Sequence, residues 1–278
     1  MYEKIVVPLD GSELAEIALP YAEELAGRLG SQITLFSVLE SAEAVEYQEC
    51  QSYIEKITRD TKHNAEKYLE QPAGKSITVG SATRVGYPAD SIISYVNKGD
   101  FKLIIMATHG RSGIGRWALG SVADKVVRST IRQPLMLIRA RGTHADVQEK
   151  NILKKVLVPL DGSTRSQVVI PYIAEIASRL AAELTVLHVV SPDNQSVSEA
   201  ESYLKRICSL LEEEGITNAY KVRTGDAAEE IINLADELNI DMVAMSTHGR
   251  TGLSAWALGS VAQKVLMGGK TPLLLVRS

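Results

Sequence analysis

The sequence predicts an α/β protein built from two repeated domains, each an open-twisted parallel sheet covered by helices. Short apolar runs alternate with longer amphipathic or polar segments along all 278 residues. Two blocks also occur twice in the same order. Residues 4–12 return at 155–163 with seven of nine positions identical, and residues 106–127 return at 245–266 with fifteen of 22 identical. Such repetition indicates two copies of one fold.

The repeats divide the chain. We predict a first domain over residues 1–140, a linker over 141–151 and a second domain over 152–278. The segment 141–151 is charged and contains Gly142, a composition typical of linkers between domains.

The elements of the first half follow from its patterns. Residues 4–9 form an apolar run that is too short for a helix, so they predict a buried strand. A helix should open at Ser12 or Glu13 and end at Gly30. Its apolar residues recur at spacings of three and four and predict one stripe, formed by Leu14, Ile17, Tyr21, Leu25 and Leu29.

The alternation continues through the rest of the half. The predicted segments are a strand at 32–39, a long polar helix up to 71, a strand at 76–83, a helix near 89–97 with Pro88 in its first turn, a strand at 103–107, a helix opening at Gly120-Ser121 and a strand at 134–139. The second half has the same order. Five strands apolar on both faces, alternating with four helices, predict a parallel sheet with helices on both sides.

Composition and charge narrow the classes of function. The formal charge is −4 and no long Lys/Arg run occurs, so we expect no nucleic acid partner. No apolar run approaches the roughly 20 residues that span a bilayer, and the N-terminus lacks the pattern of a secretory signal. We therefore expect a soluble, cytoplasmic protein with no membrane contact. Cys50 and Cys208 occupy non-equivalent positions and predict two reduced thiols.

A ligand site is predicted where two strands end. Ligands of open parallel sheets bind beyond the carboxyl ends of the strands, at the point where the strand order reverses. The first strand leads into Asp10 and the fourth into the glycine-rich loop 110–121, so both should share one crevice. Glycines let backbone N–H groups approach a ligand, and the helix start at Ser121 has unpaired N–H groups, an arrangement that suits phosphate. Arg111 and Arg116 would add positive charge, while Asp10 suits ribose hydroxyls or Mg²⁺.

The binding energy favours a nucleotide over free phosphate. A helix N-terminus contributes about 0.3 to 2 kcal/mol per charge, whereas micromolar affinity requires about 8 kcal/mol. A buried base is the natural source of the remainder.

Structural roles compete with these interpretations. A Gly-Ser pair before an apolar helix is also an ordinary cap. Taken singly, His109 and His248 are more often packed loop histidines than catalysts, and Trp117 and Trp256 more often core or interface anchors than base-stacking residues. Asp10 and Asp161 have equal prospects of only capping a turn.

These motifs together resemble the universal stress protein family. A first strand ending in VPLDGS, a Gly-x9-Gly-Ser loop and a closing Pro-apolar strand occur in both halves, and the resemblance covers nearly the whole chain. It implies strand order 3-2-1-4-5, an adenine nucleotide alpha hydrolase-like fold and, in ATP-binding members, the pattern Gly-x2-Gly-x9-Gly-(Ser/Thr). The first glycine of that pattern is replaced by Ala107 in one half and by Ser246 in the other.

The resemblance implies a nucleotide site in each half. The aspartate would lie by the sugar and base, the valine against adenine and the serine on the phosphates. The first-half residues are Pro8, Asp10, Val38, Ala107, His109, Gly110, Arg111, Gly120, Ser121 and Val122. The second-half residues are Pro159, Asp161, Val189, Ser246, His248, Gly249, Arg250, Gly259, Ser260 and Val261. Because Arg116 corresponds to Ala255, we expect the first site to hold polyphosphate more tightly.

We therefore expect a nucleotide-binding regulatory protein of the stress response. ATP or AMP would act as a conformational signal, with Mg²⁺ as a candidate companion of ATP. We expect at most slow hydrolysis, because the chain has no GxxxxGK[ST] segment and neither glycine loop contains a carboxylate. One alternative is a nucleotide-free interaction module, favoured by Ala107 and Ser246, and a second is a slow ATP-hydrolysing enzyme.

The final strand would lie at an edge of the sheet, which is an association hazard unless another strand covers it. The resemblance implies that the two halves pair through these strands as an intramolecular pseudo-dimer. The other interactions that we expect are further pairing into a homodimer and binding to an unknown protein partner.

Overall fold

The structure, a computed structural model, describes residues 1–41, 43–69, 76–110, 119–129, 132–139, 152–191, 197–247 and 258–278. The chain divides into two compact units, Met1–Ile152 (unit 1) and Leu153–Ser278 (unit 2). The predicted linker, 141–151, lies outside the described residues.

Unit 1 alternates strands with helices. Its strands are β1 (Lys4–Leu9), β2 (Gln32–Leu39), β3 (Val79–Val85), β4 (Leu103–Ala107) and β5 (Leu135–Ile138). Its helices are α1 (Glu13–Glu16), α2 (Leu19–Leu29), α3 (Ala44–Glu66), α4 (Pro88–Lys98) and α5 (Ser121–Val127).

The strands of unit 1 form an open parallel sheet in the order β3-β2-β1-β4-β5. Val6 pairs with Thr34 of β2 on one side and with Ile104 of β4 on the other. The order therefore reverses between β1 and β4. A crevice opens at this point because the connections that leave the two strands run to opposite sides.

Unit 2 repeats this arrangement. Its strands are β6 (Lys155–Pro159), β7 (Glu183–Val190), β8 (Asn218–Thr224), β9 (Met242–Ser246) and β10 (Leu273–Val276). Its helices are α6 (Ile170–Leu180), α7 (Val197–Glu213), α8 (Ala227–Glu237) and α9 (Ser260–Gly268), with a 3₁₀ turn at Ser166–Val169. All strand pairs within the unit are parallel, in the order β8-β7-β6-β9-β10. The predicted fold class and the strand order 3-2-1-4-5 are confirmed.

The prediction of one helix from residue 12 or 13 to Gly30 is wrong, since the segment breaks between α1 and α2. Pro20 lies in the first turn of α2. It has no N–H to donate, and its ring would clash with the carbonyl four residues earlier in a continuous helix. Gly30 does end the segment, in the left-handed conformation with φ of +73°.

Because of this break, the buried residues of α1 and α2 differ from the apolar stripe that the sequence predicts. Only Leu25 of that stripe is fully buried, while Leu14, Ile17, Tyr21 and Leu29 are half-buried. The buried apolar residues of α2 are Leu19, Ala22, Leu25 and Ala26.

Two other elements differ from the prediction by more than one residue. The long polar helix ends at Glu66 rather than at residue 71, which lies outside the described residues. The third strand covers Val79–Val85 rather than 76–83. It is the edge strand and is only half-buried, so no continuous apolar run marks its ends.

Among the helices that the structure describes, none is both long and apolar enough to cross a membrane. The two cysteines, Cys50 and Cys208, are free thiols, in agreement with the expectation of two reduced thiols.

A carboxylate is buried where α2 packs against α3. Glu23 is 6% exposed, and Asn64 Nδ2 donates a hydrogen bond to its Oε1 at 3.2 Å. Burial raises the pKa of Glu23 from 4.5 to about 7, against the opposing effects of Asn64 and Lys67. Removal from water disfavours the ionised carboxylate more than one hydrogen bond stabilises it.

This carboxylate predicts a pH dependence of stability. The pKa of Glu23 is raised in the folded chain. Its contribution to the unfolding free energy is therefore fully present below about pH 4.5 and is lost as the pH rises to about 7. The substitution Glu23→Gln removes this loss of stability at higher pH. We expect the unfolding free energy of the variant, relative to the parent chain, to rise by about 3 kcal/mol between pH 4.5 and pH 8.

Urea unfolding at a series of pH values measures this difference. Glu55→Gln, the same change at an exposed position of α3, should leave the pH dependence of the parent chain unaltered. Parallel pH profiles for Glu23→Gln and the parent chain would contradict the assignment.

Candidate functional site

A cleft of about 660 Å³ lies at the carboxyl ends of β1, β2 and β4 in unit 1. This volume is within the range of about 300 to 1,000 Å³ that is typical of small-molecule sites. The cleft is lined by nine of the ten site residues predicted for the first half: Pro8, Asp10, Val38, Ala107, His109, Gly110, Gly120, Ser121 and Val122. The tenth, Arg111, lies outside the described residues, as do Arg116 and Trp117.

Asp10 is held by the turn that leads into α1. Ser12 donates to Asp10 Oδ1 twice, from its backbone N at 3.0 Å and from its Oγ at 2.6 Å. Ser12 Oγ in turn accepts from Ala15 N at 3.2 Å, which caps α1. Asp10 therefore stabilises the turn, and both bonds from Ser12 are made to the same carboxylate oxygen.

The second oxygen of Asp10 faces Gly110. A Cβ built at position 110 would overlap Asp10 Oδ2 and lie 3.0 Å from Asp10 Cγ. The end of β1 and the segment after β4 thus meet at van der Waals distance across the crevice. Only glycine leaves room for the carboxylate at this point.

Gly120 closes the other end of the loop. Its backbone N donates to Thr108 O at 2.9 Å, and a Cβ at position 120 would lie 3.0 Å from that same oxygen. Gly120 is also the N-cap of α5, where it offers no side chain to the first N–H groups of the helix. Both ends of the loop are consequently tied to the residues that follow β4.

His109 is a packed histidine. It is 6% exposed, and its Nδ1 lies 2.9 Å from the Oγ1 of Thr108, which is itself 1% exposed. Thr108 N donates to Ile138 O of β5 at 2.8 Å. This arrangement fixes the orientation of the imidazole at the wall of the cleft.

The sequence patterns did not identify the wall formed by β2 and α3. Ser37, Cys50 and Tyr53 line the cleft, and Cys50 Sγ donates to Ser37 Oγ at 3.5 Å. Tyr53 Oη donates to Glu16 Oε1 at 3.0 Å. Burial raises the pKa of Tyr53, and the Glu16 carboxylate raises it further, so the phenol remains a donor.

Three exposed carboxylates stand on the same wall. Glu40, Glu46 and Glu49 line the cleft, and Ser41 Oγ donates to Glu46 Oε2 at 2.6 Å. Residues 46, 49, 50 and 53 have the spacing of one helix face, which is the signal that could have found them.

The two walls of the cleft have different chemistry. The α3 wall offers carboxylate oxygens that accept hydrogen bonds from hydroxyl or amino groups. The β4 wall offers glycine backbone, which suits an anion. Among the described residues, no group of three or more His, Cys, Asp or Glu side chains is arranged to hold a metal ion.

Unit 2 repeats the turn and the loop closure. Ser163 donates to Asp161 Oδ1 from its backbone N at 2.9 Å and from its Oγ at 2.6 Å. Gly259 N donates to Thr247 O at 2.7 Å. The remaining predicted residues fall at the ends of β6, β7 and β9 and at the start of α9: Pro159, Val189, Ser246, Ser260 and Val261. His248, Gly249 and Arg250, together with Ala255 and Trp256, lie outside the described residues.

Comparisons with known proteins place both halves in one family. The profile of the universal stress protein family matches residues 1–139 and again residues 153–277. Universal stress protein Slr1230 of Synechocystis is 25% identical over 300 aligned residues, which cover 99% of this chain and 100% of that protein. Universal stress protein MJ0531 of Methanocaldococcus jannaschii is 32% identical over 46% of this chain and 84% of its own length.

A solved structure shares the complete architecture. The crystal structure of a universal stress protein from Archaeoglobus fulgidus superposes with a TM-score of 0.76 at 18% sequence identity, covering 100% of this chain and 99% of that one. The likeness extends over both units and shows a common fold.

The contact between Gly110 and Asp10 yields a test. Gly110→Ala should lower the unfolding free energy by about 1 to 3 kcal/mol, because the new methyl group overlaps the carboxylate. The loss should be much smaller when Asp10→Ala is present as well, and a double-mutant cycle followed by urea unfolding measures the coupling. Gly80→Ala is the matched control, since a Cβ there meets nothing within 4 Å. Additive effects of the two substitutions would show that the contact is absent.

Proposed function

This chain belongs to the universal stress protein family, and we propose that it is a nucleotide-binding regulatory member whose unit 1 cleft holds ATP or AMP as a conformational signal in the stress response. One observation carries the proposal. The cleft is large enough for a nucleotide, and Asp10 and Gly110 meet within it at the point where the strand order reverses.

The apolar part of the cleft supports binding of a base. Val38, Leu39 and Ile92 line it near the end of β2 and the start of α4. An aromatic ring system that buries roughly 150 Å² gains about 4 kcal/mol. That is half of the approximately 8 kcal/mol required for micromolar affinity, so base burial would be the largest single contribution.

The polar part suits the sugar and phosphates. Asp10 lines the cleft, and Ser12 donates to its Oδ1 in the turn; ribose hydroxyls would donate to this carboxylate. The backbone near Gly110 and Gly120 would accommodate phosphate, since neither residue has a Cβ. Mg²⁺ would arrive with ATP, held by phosphate oxygens and the Asp10 carboxylate, in keeping with its preference for few protein ligands.

We propose little or no hydrolysis. Phosphoryl transfer requires a positioned nucleophile, a metal ion and a positive charge clamp together. Among the described residues that line the cleft, none is Lys or Arg. His109 Nδ1 lies 2.9 Å from Thr108 Oγ1, so the imidazole is packed in the wall of the cleft.

One observation favours a nucleotide-free interaction module as the second candidate. Ala107 stands where the ATP-binding pattern has its first glycine, and its side chain is 6% exposed at the cleft wall. Titration of the chain with ATP and with AMP separates the two candidate functions. The pairing of the two halves through their final strands stays a prediction.

Titration calorimetry with ATP and with AMP tests the proposed function. We expect micromolar binding, and a rise in the thermal midpoint with nucleotide concentration because the ligand stabilises the folded state. Asp10→Ala should weaken binding at least about tenfold, a loss of about 1.4 kcal/mol from the ribose contact. Asp100→Ala, which removes an exposed carboxylate paired with Lys102, should bind like the parent chain.

Phosphate release measured on the same samples tests the absence of turnover. Failure of the parent chain to bind either nucleotide would refute the proposal in favour of the interaction module. Rapid release of phosphate would refute the signalling role in favour of an enzyme.

A further inference from the structure

We propose that the open edge of β3 in unit 1 binds an extended segment of a partner protein, in which apolar side chains alternate with basic ones. The exposed side chains of Tyr47, Val85 and Tyr87 form the apolar part of this surface and are named the apolar rim. The surface lies outside the lining of the nucleotide cleft, and the inference does not depend on nucleotide binding.

The side chains of the apolar rim are large and open to solvent. Tyr87 is 80% exposed, Val85 50% and Tyr47 44%. Among the large apolar side chains that the structure describes, Tyr87 is the most exposed. Single apolar residues are common on protein surfaces, whereas a group of them at one place indicates an interaction site.

One hydrogen bond shows that the residues of the apolar rim share a corner of unit 1. Gln51 Nε2 of α3 donates to Thr83 Oγ1 of β3 at 3.0 Å, which fixes the helix beside the strand. Tyr47 lies one helical turn before Gln51, and Val85 lies two residues after Thr83 on the same face of the strand. Both steps lead to the carboxyl edge of the sheet, because α3 starts there and its first turns line the cleft. Tyr87 follows two residues after Val85.

Unit 2 shows that the fold does not require an aromatic ring at position 87. Gly86 and Gly225 are equivalent, since each follows the edge strand, with φ of +151° and +154°, and donates to the last carbonyl of the neighbouring strand. Asp226 comes next and caps α8, accepting from two backbone N–H groups at 2.9 and 3.2 Å. Tyr87 takes that place in unit 1 and makes no side-chain cap. A ring that replaces a cap and stays in water stabilises α4 less than an aspartate would, which favours a role in binding.

The edge of β3 offers main-chain groups to a partner. Among the strands that the structure describes, β3 pairs with β2 alone. Its one charged residue, Arg84, points to the face opposite to Val85, because side chains alternate along a strand. The corresponding strand β8 carries Lys221 and Arg223, and Arg223 Nη2 lies 2.6 Å from Glu237 Oε2. Charged side chains protect an edge against pairing, so β3 is the less protected edge, and an extended segment would add to it as a further strand.

The charge beside the apolar rim favours a basic partner. Residues 40–55 contain five glutamates and no Lys or Arg. Four of these glutamates are exposed at the end of β2 and the start of α3: Glu40, Glu43, Glu46 and Glu49. They attract Lys and Arg side chains and repel acidic ones. Two copies of this surface placed face to face would bring like charges together, so a second copy of the chain is the less favourable occupant.

Fluorescence anisotropy with a labelled synthetic peptide, KVKLKVKLK, tests the inference on the full chain. We expect saturable binding of one peptide per chain. The acidic peptide EVELEVELE should bind at least about tenfold more weakly, because its charge is reversed. The peptide KPKLKPKLK keeps the charge but has two prolines, which cannot donate to a strand ladder, and it should also bind at least about tenfold more weakly.

The substitution Tyr87→Ser separates docking from folding. It removes the ring and supplies a hydroxyl that can cap α4, so binding of KVKLKVKLK should weaken at least about tenfold while the thermal midpoint does not fall. Leu210→Ser is the matched control, since it removes an exposed apolar side chain from α7 of unit 2 and should bind the peptide like the parent chain.

The substitution Glu43→Gln tests the charge. It should weaken binding of KVKLKVKLK about threefold at low salt and reduce the salt dependence of that binding. Glu55→Gln removes the same charge about 18 Å further along α3, beyond the Debye length of about 10 Å at 0.1 M salt, and should bind like the parent chain.

Equal binding of the basic and acidic peptides, or no binding of KVKLKVKLK, would overturn the inference. Unweakened binding to Tyr87→Ser would overturn the role of the apolar rim, and equal binding of the proline peptide would overturn strand addition. A dimer in sedimentation that Tyr87→Ser abolishes would assign the surface to a second copy of the chain instead. Neither Tyr87 nor Glu43 lines the cleft, so failure of the parent chain to bind ATP or AMP would remove the proposed function and leave this inference standing.

Discussion

The close approach of the Asp10 carboxylate to Gly110 is the constraint on which the candidate site depends. It joins the ends of two neighbouring parallel strands whose connections leave in opposite directions. Ser12 N donates to the Asp10 carboxylate on one side, and Gly120 N donates to Thr108 O on the other. Backbone N–H groups therefore hold Asp10 and Thr108, which lie at the ends of the two strands.

The two units share the turn after the first strand and the loop closure, but they differ in the residues of the facing wall. The Asp-Ser turn and the Gly-Thr closure recur with nearly the same distances, because they are short-range bonds made by identical residues. The wall opposite them comes from β2 and α3 in one unit and from β7 and α7 in the other. Those segments differ at the position of Ser37, which is His188 in unit 2, where the ring centroid lies 6.0 Å from that of Tyr203.

The two sides of the cleft differ in polarity. Carboxylates line the α3 side, while uncharged glycine backbone lines the β4 side. Such a division orients a molecule that has hydroxyl or amino groups at one end and an anionic group at the other. It lacks, within the described lining, the cationic side chains that would stabilise a transferring phosphoryl group.

The sequence by itself determined the fold class and the residues at the strand ends, while the strand order followed from the resemblance to the family. Strands β1, β2 and β4 match their predicted bounds, because a strand buried on both faces needs a continuous apolar run. Tertiary structure decided the rest. Pro20 broke a helix whose apolar spacing looked continuous, and the half-buried edge strand β3 carried no run to mark it. The spacing of Cys50 and Tyr53 places them on one helix face, but only the packing of α3 against β2 brings that face to Ser37 and into the wall of the cleft.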